Sequence, residues 1–184
     1  MKKKIDMDIT NPKSIAKTIK YMENLKKDIE RQCIEFCEQL ADVGIKVAIM
    51  NSLGKMGDYV VFAKELNQRS NQNGECAMIM YGRDIKTIVG EDANAAEVSP
   101  LLMLEYGSGA FAVPEMLVED IVVGRGTFPG QTHAFDPKGW WYKSTKDGEW
   151  HHSYGNKPSY PMQKAYDEMQ VQVDRIARRV FRLR

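Results

Sequence analysis

An α+β fold, with helices laid on one face of an antiparallel sheet, is predicted by three observations. Both ends of the chain carry apolar residues every three or four positions, the middle breaks into short apolar runs separated by Gly, Asn and Asp, and no internal repeat interrupts the order helix, strands, helix. The expected architecture is a long N-terminal helix, an antiparallel β-sheet with a protruding aromatic β-hairpin, and a C-terminal amphipathic helix packed on the sheet. With 184 residues, 43% of them hydrophobic, the chain can fill one core, so a single domain spanning 1–184 is the expected organisation. Within it, residues 1–13 read as an N-terminal arm and 124–157 as a loop and hairpin insertion.

The first element covers residues 14–43. Ile15, Ile19, Met22, Leu25, Ile29, Cys33, Phe36, Leu40 and Val43 recur at helical spacing with Lys, Glu and Asp between them. Pro12 and Ser14 stand near its start, where a Ser can accept a free helical N–H, and Gly44 stands where a left-handed residue would end it. Residues 45–50, 59–63, 76–81 and 85–89 then read as strands, and the polar stretch 66–74 as an exposed loop. Ser99-Pro100 places a cap and a first-turn Pro ahead of a short apolar run, predicting one or two helical turns ended by Gly107 and Gly109. A further strand is expected over 116–123, then an irregular excursion opened by Gly124, Gly126, Pro129 and Gly130. From Ser159 onward, Met162, Ala165, Met169, Val173, Ile176, Val180 and Leu183 trace the stripe of the last helix.

Composition excludes several classes of function. Charged residues make up 28% of the chain, but the net charge is only +1, so no global field draws it to nucleic acid or membrane. The basic start Met1-Lys2-Lys3-Lys4 is followed by Asp6, Asp8 and Asn11 where a signal peptide needs an apolar run, and no window approaches a membrane span. A soluble protein is expected. Cys33, Cys37 and Cys76 are odd in number and include no C-x-x-C pair, which argues against a disulfide framework or zinc cluster and for folding in a reducing cytosol.

The aromatic segment 140–152 is the most informative local feature. Asp147-Gly148 lies between two aromatic runs, a strong signal for a tight hairpin. With those two as the turn, Lys146 pairs with Glu149, Thr145 with Trp150 and Trp141 with Tyr154. Aromatics at this density on a projecting hairpin suit a subunit interface, because Trp and Tyr bury much area at small entropic cost. A carbohydrate platform would use the same residues, and packing of one Trp onto its own domain is the plainest alternative. We favour the interface.

Other constellations are weaker. His151 and His152 are adjacent, so in a strand they point to opposite faces and cannot readily share a metal. Cys33 and Cys37 stand at i and i+4, but core packing accounts for them without a ligand. No G-x-S-x-G, H-E-x-x-H, Walker or dinucleotide pattern is present, so no catalytic site, metal or cofactor is expected. Arg175, Arg178, Arg179, Arg182 and Arg184 concentrate charge on the last helix. They read either as a solvated face that complements the helix dipole or as the lining of a DNA channel or partner contact.

Three segments together resemble one family, the head-tail joining or tail-completion proteins of tailed bacteriophages. Leu102-Met103-Leu104-Glu105-Tyr106-Gly107-Ser108-Gly109 is similar to its hydrophobic-Glu-aromatic-Gly-Thr-Gly signature. Phe135-Asp136-Pro137-Lys138-Gly139-Trp140-Trp141-Tyr142, with Asp147-Gly148-Glu149-Trp150, resembles a hairpin insertion of many members. Lys157-Pro158-Ser159-Tyr160-Pro161-Met162-Gln163-Lys164-Ala165 resembles the Pro-aromatic-hydrophobic-x-x-Ala entry into the last helix. Their order and spacing fit the family over nearly the whole chain.

The resemblance implies a non-enzymatic virion protein, assembled in the host bacterial cytoplasm, that forms a ring, expected to be hexameric, at the head-tail junction. That ring would join the tail tube to the connector and contact adjacent neck and tail-terminator subunits. DNA would pass through it without sequence-specific binding, and no membrane would be involved. On this reading Glu105, Tyr106, Trp140, Trp141, Tyr142, Trp150 and Tyr160 are expected at subunit interfaces. Arg175, Arg178, Arg179 and Arg182 are expected at the channel or a partner.

Overall fold

A computed structural model describes residues 7–53, 57–67, 77–85, 99–111, 138–143 and 147–181 of the chain. The elements run α1 (Pro12–Ser52), β1 (Val60–Leu66), β2 (Met78–Asp84), α2 (Pro100–Tyr106), β3 (Trp140–Lys143), β4 (Trp150–Ser153) and α3 (Pro161–Val180), with 3-10 turns at Gly57–Tyr59 and Gly109–Phe111. β1 and β2 pair antiparallel from Val60↔Asp84 to Leu66↔Met78, and β3 with β4 makes a second antiparallel pair. The α+β class and its long first helix, antiparallel sheet and packed last helix are as the sequence predicts.

The boundaries of α1 differ from expectation at both ends. Asn11, not Ser14, caps it: the Asn11 side chain accepts the Lys13 N–H at 3.0 Å, while Ser14 lies inside the first turn and accepts the Asp8 N–H at 3.0 Å. At the other end the helix runs through Gly44 to Ser52, so the stop at Gly44 and the strand over 45–50 are both overturned. The reason is a close approach. Gly44 is buried, and a Cβ there would stand 2.5 Å from Met80 Sδ and 2.8 Å from Met169 Sδ. The glycine therefore lets α1, β2 and α3 meet, at a helix-propensity cost of about 1 kcal/mol. The run 45–50 reads as a strand because Ile45, Val47 and Ile49 alternate, yet in the helix Ile45 and Val47 pack around the core while Ile49 is exposed.

The core lies where four elements converge. Ala48 of α1, Val60 and Phe62 of β1, Leu104 of α2 and Ala165 of α3 form its buried centre, and Ile45, Val47, Met80, Leu101 and Met162 pack around them. Burying a side chain such as Phe62 or Leu104 contributes roughly 1.5–3 kcal/mol. α1 and α3 run antiparallel. Lys164 Nζ reaches Asn51 Oδ1 at 2.9 Å near one end, and the Phe36 and Phe181 rings lie 5.8 Å apart near the other. Lys64 on β1 ties the sheet to α1 through an ion pair with Asp42 at 2.7 Å.

α2 begins as expected. Ser99 Oγ accepts the Leu102 N–H at 3.3 Å and Pro100 occupies the first turn. Asp84, at the end of β2, accepts the Leu101 N–H at 2.8 Å and the Ser99 hydroxyl, which fixes where the short helix starts. Gly107, at φ 77°, ends it.

The aromatic hairpin forms, but in a different register. Trp140 faces Ser153, Trp141 faces His152, Tyr142 faces His151 and Lys143 faces Trp150, so Trp141 does not oppose Tyr154 and Asp147-Gly148 is not a two-residue turn. Asp147 instead closes a local loop: its carboxylate accepts the Glu149 N–H at 3.1 Å and lies 3.0 Å from His151 Nε2. A shift of two residues keeps every side chain on its expected face. The strand expected over 116–123, residues 68–74 of the expected loop and 124–137 of the excursion lie outside the described residues. Of the run 85–89 only Ile85 is described, just past β2. Among the described residues no helix is long and apolar enough to cross a membrane.

Candidate functional site

Two of the three segments singled out in the sequence interlock, and the third is mounted on them. Leu104 sits in α2, and its carbonyl accepts the backbone N–H groups of Ser159 at 2.8 Å and Tyr160 at 3.2 Å, together with the Ser159 hydroxyl at 3.2 Å. One residue further, Glu105 aims its carboxylate at the start of α3. Its two oxygens accept the Met162 N–H at 2.9 Å and the Gln163 N–H at 3.0 Å. Those N–H groups have no partner within their own helix, and the carboxylate also meets the positive end of the helix dipole. α3 has no cap from its own preceding residue, because Tyr160 offers no side-chain bond there.

Ser108 completes the clasp. It is fully buried, its N–H donates to the Asn156 carbonyl at 2.9 Å, and its hydroxyl accepts the Asn156 N–H at 3.0 Å. Ala110 N–H donates to the Tyr154 carbonyl at 3.0 Å, so the chain leaving β4 is held along the segment after α2. Gly155 sits at the tightest point: its φ is +95°, and a Cβ would stand 2.0 Å from the Ser108 carbonyl oxygen. Only glycine fits both conditions. Lys157 Nζ adds a cation-π contact, 5.4 Å from the centre of the Phe111 ring.

From this base the hairpin presents aromatics to solvent. Trp141 and Trp150 are each 65% exposed, and Tyr154 is also exposed. The Trp141 ring stands edge-on to His152 at 4.8 Å, and His152 edge-on to Tyr154 at 4.6 Å, so three rings form one braced row. His151 turns instead to Asp147. The two histidines thus engage different neighbours. Among the described residues no group of three His, Cys, Asp or Glu side chains is placed to hold a metal.

The expected interface residues therefore divide. Trp141 and Trp150 are displayed. Glu105 is committed to capping α3, and Tyr106 is half-buried at the end of α2. Tyr160 is half-buried and holds a left-handed backbone, φ 54° and ψ 52°, between its Leu104 bond and Pro161. The side chains of Trp140 and Tyr142 lie outside the described residues. Arg175 and Arg178 are exposed on α3, Arg179 donates to Gln39 of α1, and Arg182 lies outside the described residues. Sequence reasoning missed Gly155, Asn156 and the ring row through His152 and Tyr154. The Gly-Asn pair directly after an aromatic strand was the available signal for the first two.

Compared with known proteins, the chain matches no protein-family model, no curated protein and no solved structure.

Proposed function

We propose that the chain is a non-catalytic structural subunit of a phage-type tail, assembling as a ring at the head-tail junction and joining the tail tube to the connector. The observation that carries the reading is the clasp. The segments 102–109 and 157–165, which resemble one family's signature and helix entry, are far apart in sequence yet meet through Glu105, Leu104 and Ser159. The hairpin, the third resembling segment, rises from the same base through Ser108, Ala110 and Gly155. A hydrogen-bonded base carrying exposed Trp141, its ring braced edge-on by His152, and exposed Trp150 has the form of an assembly contact. In such a ring, exposed Arg175 and Arg178 would face the DNA channel or an adjacent subunit.

Deleting the gene from its genome tests this reading. The expected result is filled heads and finished tails that accumulate unjoined. Infectious, complete particles in the absence of the chain would contradict it.

Exposure of Trp141 and Trp150 also favours a second reading, a carbohydrate platform on which sugar rings stack. Titration with cell-wall glycans separates the two. Quenching of Trp fluorescence supports the platform, and its absence removes it.

A further inference from the structure

The first half of α1 carries two different faces. At 3.6 residues per turn, Lys13, Lys17, Lys20, Lys27 and Arg31 fall within an arc of about 80°, and Ile15, Ile19, Met22 and Ile29 lie on the opposite side. All five cations are exposed, and they line a ridge roughly 27 Å long at 1.5 Å per residue. Of these only Arg31 is neutralised by a neighbour, Asp28, at 3.1 Å. Lys26, which pairs with Glu30, stands off the ridge. Lys13, Lys17, Lys20 and Lys27 therefore form no ion pair among the described residues. Glu35, Glu38 and Asp42 follow on the same side of the helix, but they begin roughly 12 Å past Lys27, more than a Debye length at physiological salt.

We propose that this ridge lies along the phosphate backbone of double-stranded DNA without reading its sequence. Charge and composition together select the occupant. Between Lys13 and Arg31 the one other residue in the arc is Asn24, so the face is built of Lys, Asn and Arg, side chains that bond phosphate oxygens. A protein contact is depleted of lysine and has an aromatic or apolar centre, which this ridge lacks. Seating the opposite apolar row in a bilayer would turn the ridge to the water side, about one helix diameter from the headgroups, where salt screens most of its attraction. The contact carries no sequence information, because lysine is a point charge and the guanidinium of Arg31 is engaged by Asp28.

The inference rests on the tail reading for the source of the DNA and on α1 alone for the surface. Fluorescence anisotropy of the full-length chain with labelled duplexes of two unrelated sequences tests it across a salt series. Both duplexes should bind equally, and the slope of log K against log salt should be about −3 to −4, as four neutralised phosphates give. Lys17→Gln with Lys20→Gln should weaken binding by about tenfold or more at low salt and reduce the slope by about two. Lys26→Gln with Lys46→Gln removes the same charge away from the ridge and should leave affinity within about twofold. Circular dichroism checks that both variants keep their helix. Equal losses from the two pairs, or no salt-dependent binding, would overturn the inference. Capture of phosphatidylserine vesicles or polyglutamate in place of DNA would overturn it as well. The two readings fail separately. Ridge-dependent DNA binding in a chain whose loss leaves heads and tails joined overturns the tail role alone, whereas a joining subunit whose DNA binding ignores Lys17 and Lys20 overturns this contact alone.

Discussion

The clasp around Glu105 and the displayed faces of the hairpin and of α1 lie in one molecule but use their residues in opposite ways. In the clasp every distinctive group is spent inside the chain. Glu105 caps α3, Ser108 is fully buried and bonded to Asn156, and Gly155 leaves no room for a methyl group. On the displayed faces, Trp141, Trp150, Ile19 and Met22 keep half or more of their surface in water. A motif that draws the eye in a sequence can thus be a fastening, while the contact it makes possible is carried by its neighbours. The expectation that follows is a separation of effects: substitutions in the clasp lower stability, and substitutions on the displayed faces lower association.

The largest effect should come from Gly155→Ala. A Cβ 2.0 Å from the Ser108 carbonyl oxygen, at φ +95°, forces the clasp apart, and urea unfolding should show a loss of about 3 kcal/mol or more. Glu105→Ala should cost about 1–2 kcal/mol, since it strips two N–H groups of α3 of their acceptor and removes a charge from the helix start. Glu105→Gln should cost less, because one amide oxygen can still accept. If Glu105→Ala left stability unchanged but abolished association, the division between clasp and contact would be wrong at its centre.

Trp141→Ala with Trp150→Ala should move stability by no more than roughly 0.5 kcal/mol per site, as exposed substitutions do, while removing assembly with neighbouring subunits. Circular dichroism with urea titration measures the first part and co-sedimentation the second. The smallest effect concerns Asp8. Its carboxyl is held below the usual aspartate range first by the Thr10 hydroxyl, then by the Thr10 N–H. A lowered value in the folded state means the contribution is present above the usual aspartate range and is lost as pH falls below that range, through the lowered folded value. A slight fraying of the first turn of α1 at acid pH, seen by NMR, is the expected outcome.

Long-period features were legible in the sequence, and features set by contact between distant segments were not. The stripes of α1 and α3 and the Ser99-Pro100 start of α2 are local patterns, and the structure follows them. Gly44 shows where local reading ends. A glycine after a helical run signals a stop, unless Met80 and Met169 from elsewhere in the chain need its space. The hairpin register failed for a related reason, since Asp147 spends its carboxylate on Glu149 and His151 instead of a tight turn. Glu105 reads as a contact residue in sequence because nothing in its own neighbourhood reveals that the N–H groups of Met162 and Gln163 await it.

We propose, as the centre of this account, that the chain is a ring-forming subunit of the head-tail junction. Electron microscopy of the full-length chain, alone and with the products of its neighbouring genes, tests it most directly. The account predicts closed rings, seated at the end of tail tubes when those are present. A monomer that binds none of its neighbours and forms no ring at any concentration would contradict it.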